Sequence, residues 1–277
     1  MPNSTSPTRQ PIRLGPVQET LLIPLYYRAG ETQSDAPAFC DDHAVAILPQ
    51  IDYDFTGFDN AWALRNDIVV RTVVFDDLVH AFVQQNPDAQ IINLGAGLDA
   101  RFHRVDNGRI DWHDLDMPDA IDLRNRFLPT GPRNHTIARS MFDTDWFEQV
   151  DPDPARPTLI IAEALLFYFE EHQIRDLLQK LTHRFPHGEL IFQSTSPRIV
   201  GRRSTVPVLR NMGAELKWGI PTAAALRQWN PNYRLLSEQS LVDRLPHRWR
   251  YYRWAKHLPR IGPYIREVMK VSHLTWT

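Results

Sequence analysis

IINLGAGLDARFHRV, residues 91–105, decides how the chain is read. Two isoleucines and Leu94 run into Gly95-Ala96-Gly97, and Asp99, Ala100 and Arg101 follow at once. An apolar run of this kind suits a strand buried on both faces. Glycines directly after it allow a tight turn and let a ligand approach the backbone, and the start of the helix that follows offers free amides. With Ala100 the stretch satisfies G-x-G-x-x-G/A, the fingerprint of a nucleotide-binding strand–turn–helix. An acidic residue about 20 positions on binds the ribose in such sites, and Asp114 and Asp116 both qualify. NAD and S-adenosylmethionine present the same adenosine, so this pattern alone does not separate them. Two details favour the second. Asp99, at the expected start of the helix, would repel a pyrophosphate, with Arg101 as a partial offset. Glu163, at the end of the strand in IIAEALLFY, suits a cationic amino-acid group.

Outward from this loop the chain reads as alternating strands and helices. Strands are expected at 90–94, 110–115, 134–139, 158–163 and 188–194, and helices at 99–105, 117–128, 144–150 and 170–185. Asp116 is expected to cap the second of these helices, with Pro118 in its first turn. Such alternation implies right-handed crossovers and a mostly parallel sheet. The first ninety residues are helical in pattern: 17–28 with Pro24 interrupting, 41–50 capped by Asp41-Asp42, and 61–86, where Trp62, Ile68, Val69, Val73, Leu78, Val79, Phe82 and Val83 share a face. After residue 196 the alternation fades. Residues 197–230 read as an insertion with helical pieces at 208–219 and 222–229, and 233–237 and 271–277 as further strands.

The 277 residues allow one α/β domain. We expect a disordered arm over 1–16 and a single domain over 17–277: a helical lid at 17–89, a nucleotide-binding core at 90–195, and an insertion with sheet completion at 196–277. Net charge is −2, with 31 basic against 33 acidic residues, which argues against a general nucleic-acid binder. Cys40 is the only cysteine, so neither an intrachain disulfide nor a thiolate metal site is expected. No pair of the 11 histidines has metal-ligand spacing, and no metal is expected. The N-terminus lacks the apolar core of a signal peptide, and no stretch approaches the roughly 18 apolar residues of a membrane span. A cytoplasmic protein with no membrane partner is expected.

VQETLLIPLYYRA, the YDF at 53–55, NLGAGLDARFHRVD, DLDMPDAIDLRNRFLP and IIAEALLFYFEEHQI together resemble the leucine carboxyl methyltransferase family, which includes tetracenomycin-type polyketide O-methyltransferases. The likeness runs in order over about residues 17–195 and loosens beyond. It implies a class I methyltransferase fold, α/β and Rossmann-like, with a seven-stranded sheet whose last strand is antiparallel and S-adenosylmethionine at the strands' C-terminal edge. It also implies roles. Gly95, with Ala96 and Gly97, would lie at the methionine part of the cofactor. Asp116, in the Asp-Met-Pro motif, would bind the ribose, which leaves Asp114 second. Ser140 and Met141 would flank the adenine, and Glu163 would contact the cofactor. Arg71 would lie near the methionine and acceptor carboxylates, Tyr168 near the acceptor, and Tyr26, Tyr27 and Arg28 in the lid. The chain departs from many relatives at Ala164, where they have Gly, and at Ala100, where they often have Thr.

The expected acceptor is a small carboxylic acid, or another hydroxyl compound. A carboxylate is ionised at neutral pH and needs no general base. A phenol would need one, and His80, His103, His113 and His172 are the candidates. Two alternatives stand beside this reading: an NAD-dependent oxidoreductase, for which the second half offers no hydride-transfer constellation, and a cofactor-binding relative without catalysis.

Overall fold

The computed structural model describes residues 10–12, 15, 18–59, 61–150, 153, 155–201, 215–250 and 252–277. The expected arm over 1–16 and the helical piece at 208–214 therefore lie largely outside the described residues. Gln10–Pro11 (β1) departs from the expected arm: it pairs in parallel with Ile51–Asp52 (β2). Two residues carry no periodicity, so nothing in the sequence signals them.

A 3-10 turn at Gln18–Leu21 leads into α1 (Leu22–Thr32). Pro24 does not interrupt this helix. It falls in the first turn, where the amide it lacks would have had no partner. Asp41 caps α2 (Asp42–Ile47) by accepting the Ala44 amide at 3.0 Å. The long α3 (Trp62–Gln85) follows, as its apolar face predicts.

The main sheet contains β3 (Gln90–Leu94), β4 (Asp111–Asp116), β5 (Asn134–Ala138), β6 (Thr158–Ala162), β7 (Gly188–Thr195), β8 (Arg234–Ser240) and β9 (Met269–Thr275), in the order β5-β4-β3-β6-β7-β9-β8. β3 to β7 run parallel, and the last strand, β9, is antiparallel to both β7 and β8. The helices between them are α4 (Arg101–Val105), α5 (Pro118–Phe127) and α6 (Glu171–Arg184). The expected helix at 144–150 is a 3-10 turn, Asp145–Gln149. Residues 215–222 are not helical; Ala223–Gln228 is a 3-10 helix, and α7 (Tyr252–Ala255) and α8 (Gly262–Val268) precede β9.

Alternate strand residues feed opposite faces. Ile92, Leu94, Leu115 and Ile160 pack with Leu177, Leu178 and Leu181 of α6 and with Trp218 and Leu226. Ile91, Trp112 and Ile161 pack with Val70, Val74 and Phe75 of α3 and with Trp249. Register does the gathering at one edge. Leu94 lies opposite both Leu115 and Ala162, so Gly95, Asp116 and Glu163 emerge side by side at the C-terminal ends of three strands. Successive strands are added on one side of β3 up to β5 and on its other side from β6, so strand order reverses between β3 and β6, the switch point where open α/β sheets hold their ligands.

Candidate active site

A cavity of about 900 Å³ opens at this edge, near the top of the roughly 300–1,000 Å³ range of small-molecule sites. Of the residues singled out from the sequence, Arg28, Arg71, Gly95, Ala96, Gly97, Asp116, Ser140, Met141, Glu163 and Tyr168 all line it. Tyr26 and Tyr27 do not, which corrects the expected lid contacts. Tyr27 is 4% exposed and donates to the Phe58 carbonyl at 2.6 Å, and Tyr26 stacks on Phe55 and donates to Asp59. The segment faces the cavity through Gln18, Thr20, Leu21, Ile23 and Pro24 instead. Arg28 anchors it, donating from Nε to Asp41 at 2.8 Å and from Nη2 to the Leu98 carbonyl at 2.8 Å.

The glycine loop is built tightly. Gly95 has φ +65°, and a Cβ there would sit 2.8 Å from the Leu165 side chain. Gly97 has φ +47°. The helix expected at residue 99 starts at Arg101 and is five residues long. Five of the amides that would have cradled a diphosphate are already used. Those of Gly95 and Ala96 donate to the Leu115 carbonyl, Gly97 to Asp116 at 2.8 Å, Asp99 to the Ala96 carbonyl, and Arg101 to the Asp99 side chain. The carboxylates of Asp99, Asp116 and Glu163 stand around the loop. This donor-poor, acid-rich wall fits a cationic adenosine cofactor and disfavours a pyrophosphate.

Asp116 and Asp114 have different work. Asp116 ends β4 and does not cap α5, whose N-cap is Met117. Its carboxylate accepts the Gly97 and Met117 amides at 2.8 and 2.7 Å beside the cavity, and burial pushes its pKa up against those two bonds. Asp114 is fully buried, accepting from Asn93 Nδ2 at 2.9 Å and Trp112 Nε1 at 2.8 Å, and paired with Arg124.

Glu163 is held by two arginines: Arg71 Nε at 2.8 Å and Arg101 Nη2 at 2.5 Å. Arg101, 1% exposed, spends its remaining donors on Asp76 at 2.6 Å and Asp99 at 2.5 Å. Burial opposes the charge on Asp99, but Arg101 and Arg104 hold its pKa well below the usual range, so the offset expected from Arg101 is present and Arg104 adds to it. Arg71 Nη1 donates to Asp67 at 3.0 Å and to Gln193 Oε1 at 3.2 Å. Its Nη2 has no partner among the described residues. Tyr168 is electrostatically coupled to Arg71, and burial pushes its pKa up to about 12. Its hydroxyl, too, has no hydrogen-bond partner among the described residues.

Asp67, Asp76 and Gln193 were not singled out from the sequence, and Arg101 was read only as an offset to Asp99. Asp67 was detectable, four residues before Arg71 on one helix face; the others meet only through the fold. His80, His103, His113 and His172 do not line the cavity, and no described lining residue is a histidine. At the opposite ends of the strands, Asp111, His113 and His135 stand within 4.8 Å of one another. The Arg156 guanidinium lies 3.4 Å from the same Asp111 carboxylate, a charge that opposes a cation there. Ala164, the departure beside Glu163, has φ +49°, a left-handed conformation that glycine adopts without cost.

Comparison with known proteins agrees with this geometry. The leucine carboxyl methyltransferase family profile matches residues 22–182. A Streptomyces glaucescens protein named tetracenomycin polyketide synthesis O-methyltransferase is 32% identical over 233 residues, 84% of this chain and 86% of that one. An S-adenosyl-L-methionine-dependent methyltransferase of Gibberella zeae is 28% identical over 75% of this chain and 76% of its own length. Among solved structures, a Thermobifida fusca protein described as a methyltransferase superposes with a TM-score of 0.59 at 12% identity, covering 99% of this chain and 97% of that one. A DUF574 family protein of Streptomyces avermitilis gives 0.58 at 13%, covering 93% and 97%. None of these supports the oxidoreductase alternative.

Proposed function

The chain belongs to the leucine carboxyl methyltransferase family and is an S-adenosylmethionine-dependent methyltransferase, and from that premise we propose that it methylates a carboxylate oxygen of a small organic acid. The observation that carries this reading is the pairing of an unengaged Arg71 Nη2 with an unengaged Tyr168 hydroxyl in a cavity whose described lining contains no histidine. The relative named for tetracenomycin polyketide synthesis supports a natural-product acid as the acceptor. Among the described residues no helix is long and apolar enough to cross a membrane, and we place the reaction in the cytoplasm. Residues 17–89 would serve as the lid, 90–195 as the cofactor core and 196–277 as insertion and sheet completion.

When bound, S-adenosylmethionine supplies an electrophilic methyl group on a positively charged sulfur. Asp116 would accept from the ribose hydroxyls, already oriented by the Gly97 and Met117 amides. Gly95, Ala96 and Gly97 would border the methionine portion, Ser140 and Met141 the adenine, and Glu163 the cationic end. Arg71 is pinned through Nε and Nη1, which fixes the direction in which Nη2 points. A fork held this way orients a carboxylate better than a mobile lysine. Tyr168 is neutral at working pH and so keeps its proton to donate, which suits an anionic acceptor. Ile199, Leu241, Val242 and Trp249 line the same cavity and exclude water from the nucleophile. The remaining requirement is alignment, with reacting atoms about 3–3.5 Å apart. The lining carboxylates Asp67, Asp99, Asp116 and Glu163 are each bound by arginines or amides, so none is free to serve a phenol as base.

The test is methyl transfer from methyl-labelled S-adenosylmethionine to a panel of carboxylic acids and phenols, followed by mild alkali. Methyl esters release labelled methanol, and aryl methyl ethers do not. Labelled methanol is the expected result; an alkali-stable product would refute the carboxylate assignment.

A further inference from the structure

The run HRWRYYRWAKHLPRIGPYIR, residues 247–266, takes no part in the chemistry above beyond a few apolar contacts at the cavity wall. Trp249 packs inward and is 5% exposed, whereas Trp254 is 70% exposed. Leu258 and Ile261 are 50% and 48% exposed, and Tyr252 is 38% exposed while also lining the cavity. Single exposed apolar residues are ordinary; four within ten positions are not.

The charges of this segment are as uneven. Between Arg244 and Arg266 the sequence holds seven lysines and arginines and no acidic residue. Four of the seven are neutralised from outside the segment. Arg244 pairs with Asp77, Arg248 with Glu31, and Lys256 and Arg266 share Asp243 at 2.8 and 3.2 Å. Arg250, Arg253 and Arg260 are exposed and have no acidic partner among the described residues. Arg253 lies 5.0 Å from the centroid of the Trp254 ring. The unpaired charges are thus interleaved along the chain with the exposed apolar side chains.

We propose that this surface docks the protein on an anionic lipid bilayer. Tryptophan and aliphatic side chains sit at the boundary between headgroups and acyl chains, while arginines beside them meet lipid phosphates. Nothing here spans the membrane; the contact is peripheral and reversible. Charge complementarity selects an anionic surface, and the exposed side chains form protruding points that suit a deformable headgroup layer. Tyr252 and Trp249, at the same segment, border the cavity, so docking would bring its wall to the bilayer, where apolar acids partition.

The experiment is sedimentation of the full chain with two kinds of vesicle, one of pure phosphatidylcholine and one with about a third phosphatidylglycerol, at low and high salt, with sedimentation velocity of the protein alone. The expected result is binding to the anionic vesicles only, weakened by salt. Arg250→Gln, Arg253→Gln and Arg260→Gln should each lower partitioning about fivefold, since one basic residue near such a surface contributes about that much. The triple variant Trp254→Ser, Leu258→Ser, Ile261→Ser, altering only exposed side chains, should abolish binding with the melting temperature retained. Three results would overturn the proposal: no anionic binding, equal binding to neutral vesicles, or a self-associated species that the triple serine variant dissolves, which would make the surface an interface between copies of the chain.

Discussion

Asp114 and Asp116 lie two residues apart on β4, and both satisfy the ribose spacing, yet their substitution should separate cleanly into two different losses. Asp114 is 0% exposed, and its partner Arg124 is 1% exposed. Asp114→Asn would leave that guanidinium charge buried without compensation. Breaking a buried pair costs about 3–5 kcal/mol. At about 2–4 °C per kcal/mol for a chain of this size, the melting temperature should fall by roughly 6–20 °C. Asp116→Asn keeps an oxygen for one of its two amides, so its folding cost should stay near 1 kcal/mol. Its loss should appear in binding. Two ribose hydroxyls would give up charge-assisted bonds of about 1.5–3 kcal/mol for neutral ones of about 0.5–1.5. The net loss of about 2–3 kcal/mol corresponds to roughly 30- to 150-fold weaker binding of S-adenosylhomocysteine. Calorimetry well below each variant's melting point reads the second effect, and a thermal melt the first. Weaker binding in Asp114→Asn than in Asp116→Asn, both folded, would refute the assignment.

Arg71→Lys retains the charge and loses the fork, so kcat/KM should fall about 10- to 100-fold, the worth of one charge-assisted bond, while S-adenosylhomocysteine still binds; unchanged turnover would remove Arg71 from the site. Ala164→Gly relieves a left-handed alanine, worth about 1–2 kcal/mol, against about 0.4–1 kcal/mol of added unfolded-state freedom, so the melting temperature should rise by a few degrees, and a fall would contradict the φ of +49°. Burial raises Tyr27 and Tyr168 to about 12 from 10.0, so their neutral forms are favoured by folding. That stability is fully present below pH 10 and should be lost as pH climbs toward 12, read as phenolate absorbance appearing together with unfolding; free titration of every tyrosine near pH 10 in the folded protein would contradict it.

The sheet was readable because its strands are buried on both faces, as in QIINL and TLIIA, and its helices because α6 keeps an apolar stripe and α3 is a long apolar-rich run ended by Asn86-Pro87. What escaped was chemistry that depends on who meets whom. Arg101 and Glu163 are 62 residues apart and Arg71 and Glu163 are 92 apart, so no spacing announces their contact. Asp116 looked like a helix cap because a proline follows two residues later; its carboxylate turns back to the glycine loop instead. Free amides were expected at the start of the helix after the glycine loop, but those of Asp99 and Arg101 donate to the Ala96 carbonyl and the Asp99 side chain. Tyr26 and Tyr27 looked like lid residues by likeness. They stand one turn further along the helix, in an aromatic cluster with Phe55 and Phe58, while Ile23 and Pro24 border the cavity.

The most direct measurement is calorimetric titration of the full chain with S-adenosylhomocysteine and, separately, with NADH. The account predicts saturable one-to-one binding of the first and no heat from the second, because the loop amides that a diphosphate needs are already spent. Binding of NADH, or silence from S-adenosylhomocysteine, would contradict it.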